Sequence, residues 1–101
     1  MKIIEKLTDM IDEELSDAKK YAKCALKYAE EFPELSQTFL TLAKEELHHK
    51  DLLHGQVVRL IERHRSLHGE PPVEMKAVYD FTHKKAIERA HEVQMLLSEF
   101  H

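Results

Sequence analysis

Apolar side chains recur along this chain at steps of three and four residues, the spacing that lines one face of an α-helix. In the first segment Ile4, Leu7, Ile11, Leu15, Ala18, Ala22, Ala25 and Ala29 form such a stripe, opposed by Lys6, Asp9, Asp12, Lys19, Lys20, Lys23 and Lys27. This pattern predicts one long helix over about residues 3–31. Phe32-Pro33-Glu34 then interrupts it, because the residue before a proline is biased away from helix while proline suits the first turn of the next one. A second stripe, Leu35, Phe39, Leu42, Ala43, Leu53, Val57, Leu60 and Ile61, predicts a helix over about residues 34–68. Gly69 supplies a stop, and Glu70-Pro71-Pro72 forms a stiff connector. The third stripe, Met75, Val78, Tyr79, Ala86, Ala90, Val93, Leu96, Leu97 and Phe100, predicts a last helix over about residues 73–100.

Helices joined by such short links pack antiparallel to their sequence neighbours. The expected fold is therefore all-α, a long antiparallel helical hairpin plus a third helix, in a single domain over residues 1–101. The second and third stripes are broader than one hairpin can cover, so a homo-oligomer is expected.

Composition narrows the function classes. Charged residues make up 34%, with two glycines and no tryptophan, which favours long helices with few turns. Nineteen acids against fifteen bases give a net charge of -4, and both signs are interspersed. No cationic block marks a nucleic-acid footprint, and nucleic acid is not an expected partner. The single cysteine, Cys24, cannot form an internal disulfide, and it falls among the lysines of the polar face. No leader pattern opens the chain and no apolar run reaches the length of a membrane span, so a cytoplasmic location is expected.

The chemistry concentrates in Glu45-Glu46-Leu47-His48-His49, two overlapping Glu-x-x-His pairs inside the second apolar pattern. Residues three apart share a helix face, so a carboxylate and an imidazole at this spacing can hold one metal ion. Taking Leu42 as zero and about 100° per residue, the stripe centres near 60°. Glu46 falls at about 40° and His49 at about -20°, whereas Glu45 and His48 fall at about -60° and -120°. Glu46 with His49 is thus the inward pair, and Glu45 with His48 its solvent-side shadow. In the first helix Glu14 lies at the edge of the stripe and Glu13 outside it, and antiparallel packing brings Glu14 level with Glu46 and His49. Buried carboxylates are costly unless paired or bound to metal, so the three together favour a metal site. One chain supplies only half of the ligand set of a carboxylate-bridged pair of metals, and a two-fold axis would supply the rest.

The run Glu14-x6-Tyr21, followed by Glu46-x-x-His49 with Phe39, Ala43 and Leu53 spaced around it, resembles the ferritin-like superfamily, rubrerythrins in particular. Pro33-Glu34-Leu35, thirteen residues ahead of Glu46, resembles more closely the short encapsulated ferritins, whose half-bundles dimerise to complete the site. The resemblance spans about residues 7–60 and leaves the third helix outside. It implies a four-helix bundle completed by homodimerisation, with a di-iron centre whose ligands come from two chains. On that reading Glu46 bridges the irons, His49 is a terminal ligand, Glu14 is the carboxylate from the first helix, and Tyr21 stands nearby. The implied activity is ferroxidase, oxidising iron(II) with dioxygen or peroxide. Two departures accompany it. Ser98-Glu99-Phe100-His101 does not resemble the peptide that directs cargo into an encapsulin shell, so such a shell is not an expected partner. CxxC pairs are lacking too, and with them the rubredoxin-type iron site of full-length rubrerythrins.

Other residues fit blander roles. Glu88-Arg89-Ala90-His91 repeats the Glu-x-x-His spacing but lies off the third stripe. His64 and His68, one turn apart, could hold an accessory metal or simply complement a helix C-terminus. His54 and His83 have no partner in the pattern, and Glu30, Glu31 and Glu34 belong to a solvated turn. Two other functions compete with the ferroxidase: a metal-free helical adaptor or oligomerisation module, and a structural metal site without turnover.

Overall fold

In the computed structural model, which describes residues 1–100, the chain is all-helical: α1 covers Lys2–Lys27, α2 Pro33–His68 and α3 Val73–Leu97. The molecule measures 56 × 19 × 18 Å. The buried residues of α1, Ile4, Ile11, Leu15, Ala18, Ala22 and Ala25, are those of its expected stripe, while Leu7 is half-buried. Ala29 is exposed, because α1 ends at Lys27 rather than near residue 31.

No glycine stops α1. The chain leaves the helix where the Ala29 N–H turns back to Leu26 O, which leaves the carbonyl of Ala25 without its usual helical donor. Ser36, buried near the start of α2, donates its hydroxyl to that carbonyl at 2.5 Å. One side chain of α2 therefore completes the end of α1. Phe32 takes φ -132° and ψ 71°, outside the helical region that a following proline disfavours, and Pro33 opens α2. Gly69 closes α2 with φ +78° and ψ -168°, a conformation that side chains resist, and its N–H reaches Arg65 O at 2.9 Å. Pro72, extended at φ -53° and ψ 149°, caps the start of α3. The last helix stops at Leu97, three residues before the expected end.

α1 packs against both other helices. It runs antiparallel to α2, and α3 runs beside it in the same direction, so that Val93 packs on Ala18 and Ala22 while Ala90 packs on Ile11 and Leu15. Polar links follow the same register: Arg89 binds Asp12 and donates to Ser16 at 2.6 Å, and Lys19 meets Glu92 at 2.7 Å. By contrast α2 and α3 scarcely approach each other along their backbones. Between the three helices, at the end away from the α1–α2 turn, lies a groove of about 280 Å³.

Some expected core positions differ. Leu35 and Val78 are exposed, the second by 61%, while Cys24 is half-buried rather than on the wet face. Val78 lies about 90° around α3 from the direction midway between its buried residues Ala90 and Val93, at the edge of the covered face.

Candidate metal centre

Glu14 projects from α1 and Glu46 and His49 from α2, and one ligating atom of each lies within 4.8 Å of the others. His49 Nδ1 is 3.4 Å from Glu14 Oε2 and 3.8 Å from Glu46 Oε1. The carboxylates are largely covered, with side-chain exposures of 24% for Glu14 and 17% for Glu46, whereas half of His49 faces solvent. The shadow residues Glu45 and His48 are exposed and belong to no such cluster.

The arrangement is electrostatically unsatisfied. Glu14 Oε2 is buried without a hydrogen-bond partner, since its contact with His49 lacks hydrogen-bond geometry. A buried acceptor in that condition costs about 1–3 kcal/mol, more if charged. Hydrogen bonding with Glu14, then burial and the charge of Glu14, raise the Glu46 pKa from an ordinary 4.5 to about 7, with His49 pulling the other way. Glu46 is thus part-protonated at neutral pH, beside a second carboxyl group. A divalent cation relieves both problems, because it replaces the Glu46 proton and takes up the orphaned oxygen. Carboxylates with one imidazole suit iron(II) among common metals.

Asp17 joins this electrostatic neighbourhood, since its charge also raises the Glu46 pKa. Sequence reasoning passed over it, although Glu14-x-x-Asp17 has the spacing that keeps two acids on one helix face. Tyr21, on the same flank, stacks on Phe39 with centroids 6.2 Å apart.

Around α1, Ile3, Met10 and Tyr21 lie within about 40° of Glu14, whereas the α3-bound residues Asp12, Ser16 and Lys19 lie about 140–160° away. The cluster therefore opens on the flank of the hairpin that α3 leaves uncovered. That flank also carries the exposed apolar residues Ile3, Met10 and Leu35.

A rubrerythrin family model matches residues 5–99. The chain belongs to the rubrerythrin family. That places it in the ferritin-like superfamily, and its match runs through α3, beyond the residues that carried the resemblance in the sequence. Rubrerythrin domains bind iron, and the carboxylate–imidazole cluster is where this member has the donors to do so. No curated protein and no solved structure matched the chain. Among the described residues no helix is long and apolar enough to cross a membrane.

The remaining candidates fall elsewhere. Glu88 and His91 are both exposed on α3, while the residues between them turn to α1: Arg89 to Asp12, and Ala90 into the core. His64 and His68 bring their rings to 4.9 Å within one helix, and among the described residues they join no group of three ligands. Glu30, Glu31 and Glu34 are exposed at the turn. His54 and His83, unpartnered in the sequence pattern, meet across α2 and α3 with Nε2 and Nδ1 3.1 Å apart.

Proposed function

We propose that this rubrerythrin-family chain is a ferroxidase that oxidises iron(II) at a di-iron site shared across a two-fold axis. The observation that carries the reading is the buried, donorless Glu14 Oε2 converging with Glu46 and His49. Bound iron(II) supplies the electrons, one per ion, to dioxygen or peroxide. The protein supplies position and charge. Glu46, held between Glu14 and His49, would bridge two ions; Glu14 and His49 would each close one end. Proton exchange falls to Glu46, whose pKa near 7 lets it release its proton to solvent as cations arrive and recover it when they leave. The acidic flank, with Asp17 beside the pair, favours cation approach.

One chain offers two carboxylates and one imidazole in the cluster, half of what a bridged pair of metals takes. Two observations support completion by a second copy. The site opens on the flank away from α3, and exposed Ile3, Met10 and Leu35 share that flank. An isologous contact there duplicates every ligand.

Iron content and solution mass, measured together with and without added iron(II), test the proposal. We expect about one iron per chain in a dimer or multiple of dimers, and iron(II) loss in air well above a protein-free control. Glu46→Ala should abolish both binding and oxidation. A wild-type protein indifferent to iron(II) and air would support the metal-free adaptor. Binding without oxidation would leave a structural metal site.

A further inference from the structure

Away from the carboxylate cluster, a second set of metal-ligating groups spans two helices. His54 of α2 and His83 of α3 stand 29 residues apart in sequence, yet their rings stack with centroids 4.9 Å apart and an interplanar angle of 16°. His54 Nε2 and His83 Nδ1 face each other at 3.1 Å. Two imidazole nitrogens bound to one tetrahedral zinc, each ~2.05 Å from the ion, stand ~3.3 Å apart. The pair is therefore within a few tenths of an ångström of the separation that a bound ion imposes.

An acid stands in the same groove. His54, His83 and Asp80 all line the groove between the three helices. Asp80 precedes His83 by three residues on α3, which puts both side chains on one face. Asp51 bears the same relation to His54, but it pairs with Lys50 at 2.6 Å and does not line the groove. Backbone packing does not hold α2 to α3, so this junction is where a cross-link would change the molecule most.

We propose that His54 Nε2 and His83 Nδ1 bind a divalent ion of the zinc class that clamps α2 to α3, with water completing its coordination. Binding displaces the hydrogen bond between the rings; each imidazole stays neutral and carries its proton on the nitrogen turned away from the ion, so the pair releases no proton and the charge of the ion is left to the water in the groove. Burial, the neighbouring His83 and Lys50 hold the His54 pKa below its usual value against the opposing pull of Asp51, which keeps its lone pair available at neutral pH. Imidazole donors suit zinc, whereas the carboxylates around Glu46 suit iron(II), so the two sites differ in selectivity. The inference does not depend on the ferroxidase reading.

The test is zinc titration of the full-length Glu46→Ala protein, followed by calorimetry and thermal melting, so that zinc has no access to an intact carboxylate cluster. The expected result is about one zinc per chain, with a rise in melting temperature on binding. Adding His83→Gln to that background removes an exposed ring and leaves the core untouched; it should weaken zinc at least tenfold and cancel the thermal shift. In the otherwise unaltered chain, His83→Gln should leave iron(II) oxidation unchanged. Cobalt(II) provides a second readout, since ligation by two imidazoles gives it a visible spectrum that the His83→Gln protein should lack. No zinc uptake by the Glu46→Ala protein, or uptake of equal strength in the double variant, overturns the proposal.

Discussion

Near the α1–α2 turn, Ala18, Ala22, Ala25 and Ala43 are wholly buried and let the helices close up, whereas at the far end Ile4, Val57, Ile61 and Tyr79 surround a groove of about 280 Å³. The interaxial distance of packed helices depends on the side chains at the contact. Short side chains at the turn end bring α1 and α2 together tightly enough for Ser36 of one helix to satisfy Ala25 of the other. Longer ones at the far end hold α2 and α3 apart, with only the His54–His83 contact reaching directly between their polar groups. The carboxylate cluster lies where these regimes meet, beside Ala43 on one side and Leu47 and Leu53 on the other. Its acids are close enough for Glu14 to raise the Glu46 pKa and open enough for Glu46 to exchange its proton.

One substitution made at each end challenges that contrast most strongly. Ala22→Leu adds three carbons where exposure is zero, and overpacking of this kind costs about 1–3 kcal/mol, occasionally more. Ala86→Leu makes the same change beside the groove, where space exists, and should stay within about 0.5 kcal/mol of the parent or raise stability. Urea unfolding of both variants decides the matter. Equal losses would mean that the two ends are packed alike.

A smaller effect is expected at the junction itself. The Glu46 pKa is raised in the folded chain, from 4.5 to about 7, so its contribution to stability is fully present below about 4.5 and is lost as pH rises through about 7. The metal-free protein should lose about 1–2 kcal/mol to this group over that interval, less than the full shift implies because water reaches the site. Glu92, held below the usual carboxylate range by Lys19, acts in the opposite sense at lower pH, so the comparison must be between parent and Glu46→Gln. Glu46→Gln should flatten the decline, and iron(II) should reverse it in the parent. An unchanged pH slope in Glu46→Gln would remove Glu46 as its source.

How much of this was legible depends on how local each cause is. Pro33, Gly69 and the Pro71-Pro72 pair act on their own backbone, and the helices begin and stop at them as the sequence implies. The end of α1 is not local: it is fixed by Ser36, eleven residues away, whose hydroxyl has no meaning until the turn is folded. Helical angles separated Glu46 and His49 from Glu45 and His48 because burial follows period, and the structure brings the inner pair to Glu14 while leaving the outer pair in solvent. Asp17 was readable by the same spacing rule and was overlooked. The meeting of His54 and His83 depends on the register of α3 against α2, which no periodicity within either helix encodes. Val78 failed for a related reason, since a stripe reports which residues could be covered and not whether a neighbour exists to cover them.

The smallest effect bears on the loose end. Gly55 lies within α2, next to His54, and a β-carbon added there meets nothing within 4 Å. Glycine in a helix interior costs about 0.5–1 kcal/mol relative to alanine, chiefly through the freedom it gives the unfolded chain. Gly55→Ala should therefore raise stability by about 0.4–1 kcal/mol, or about 2–8 °C in a thermal melt of a chain this size. If packing at the far end is as loose as the groove implies, the gain should appear without any change in iron(II) oxidation, because the carboxylate cluster lies two turns away along α2 on another face. Should Gly55→Ala instead lower stability, open space around Gly55 would be the wrong description, and a partner helix packed against that glycine would be the better one.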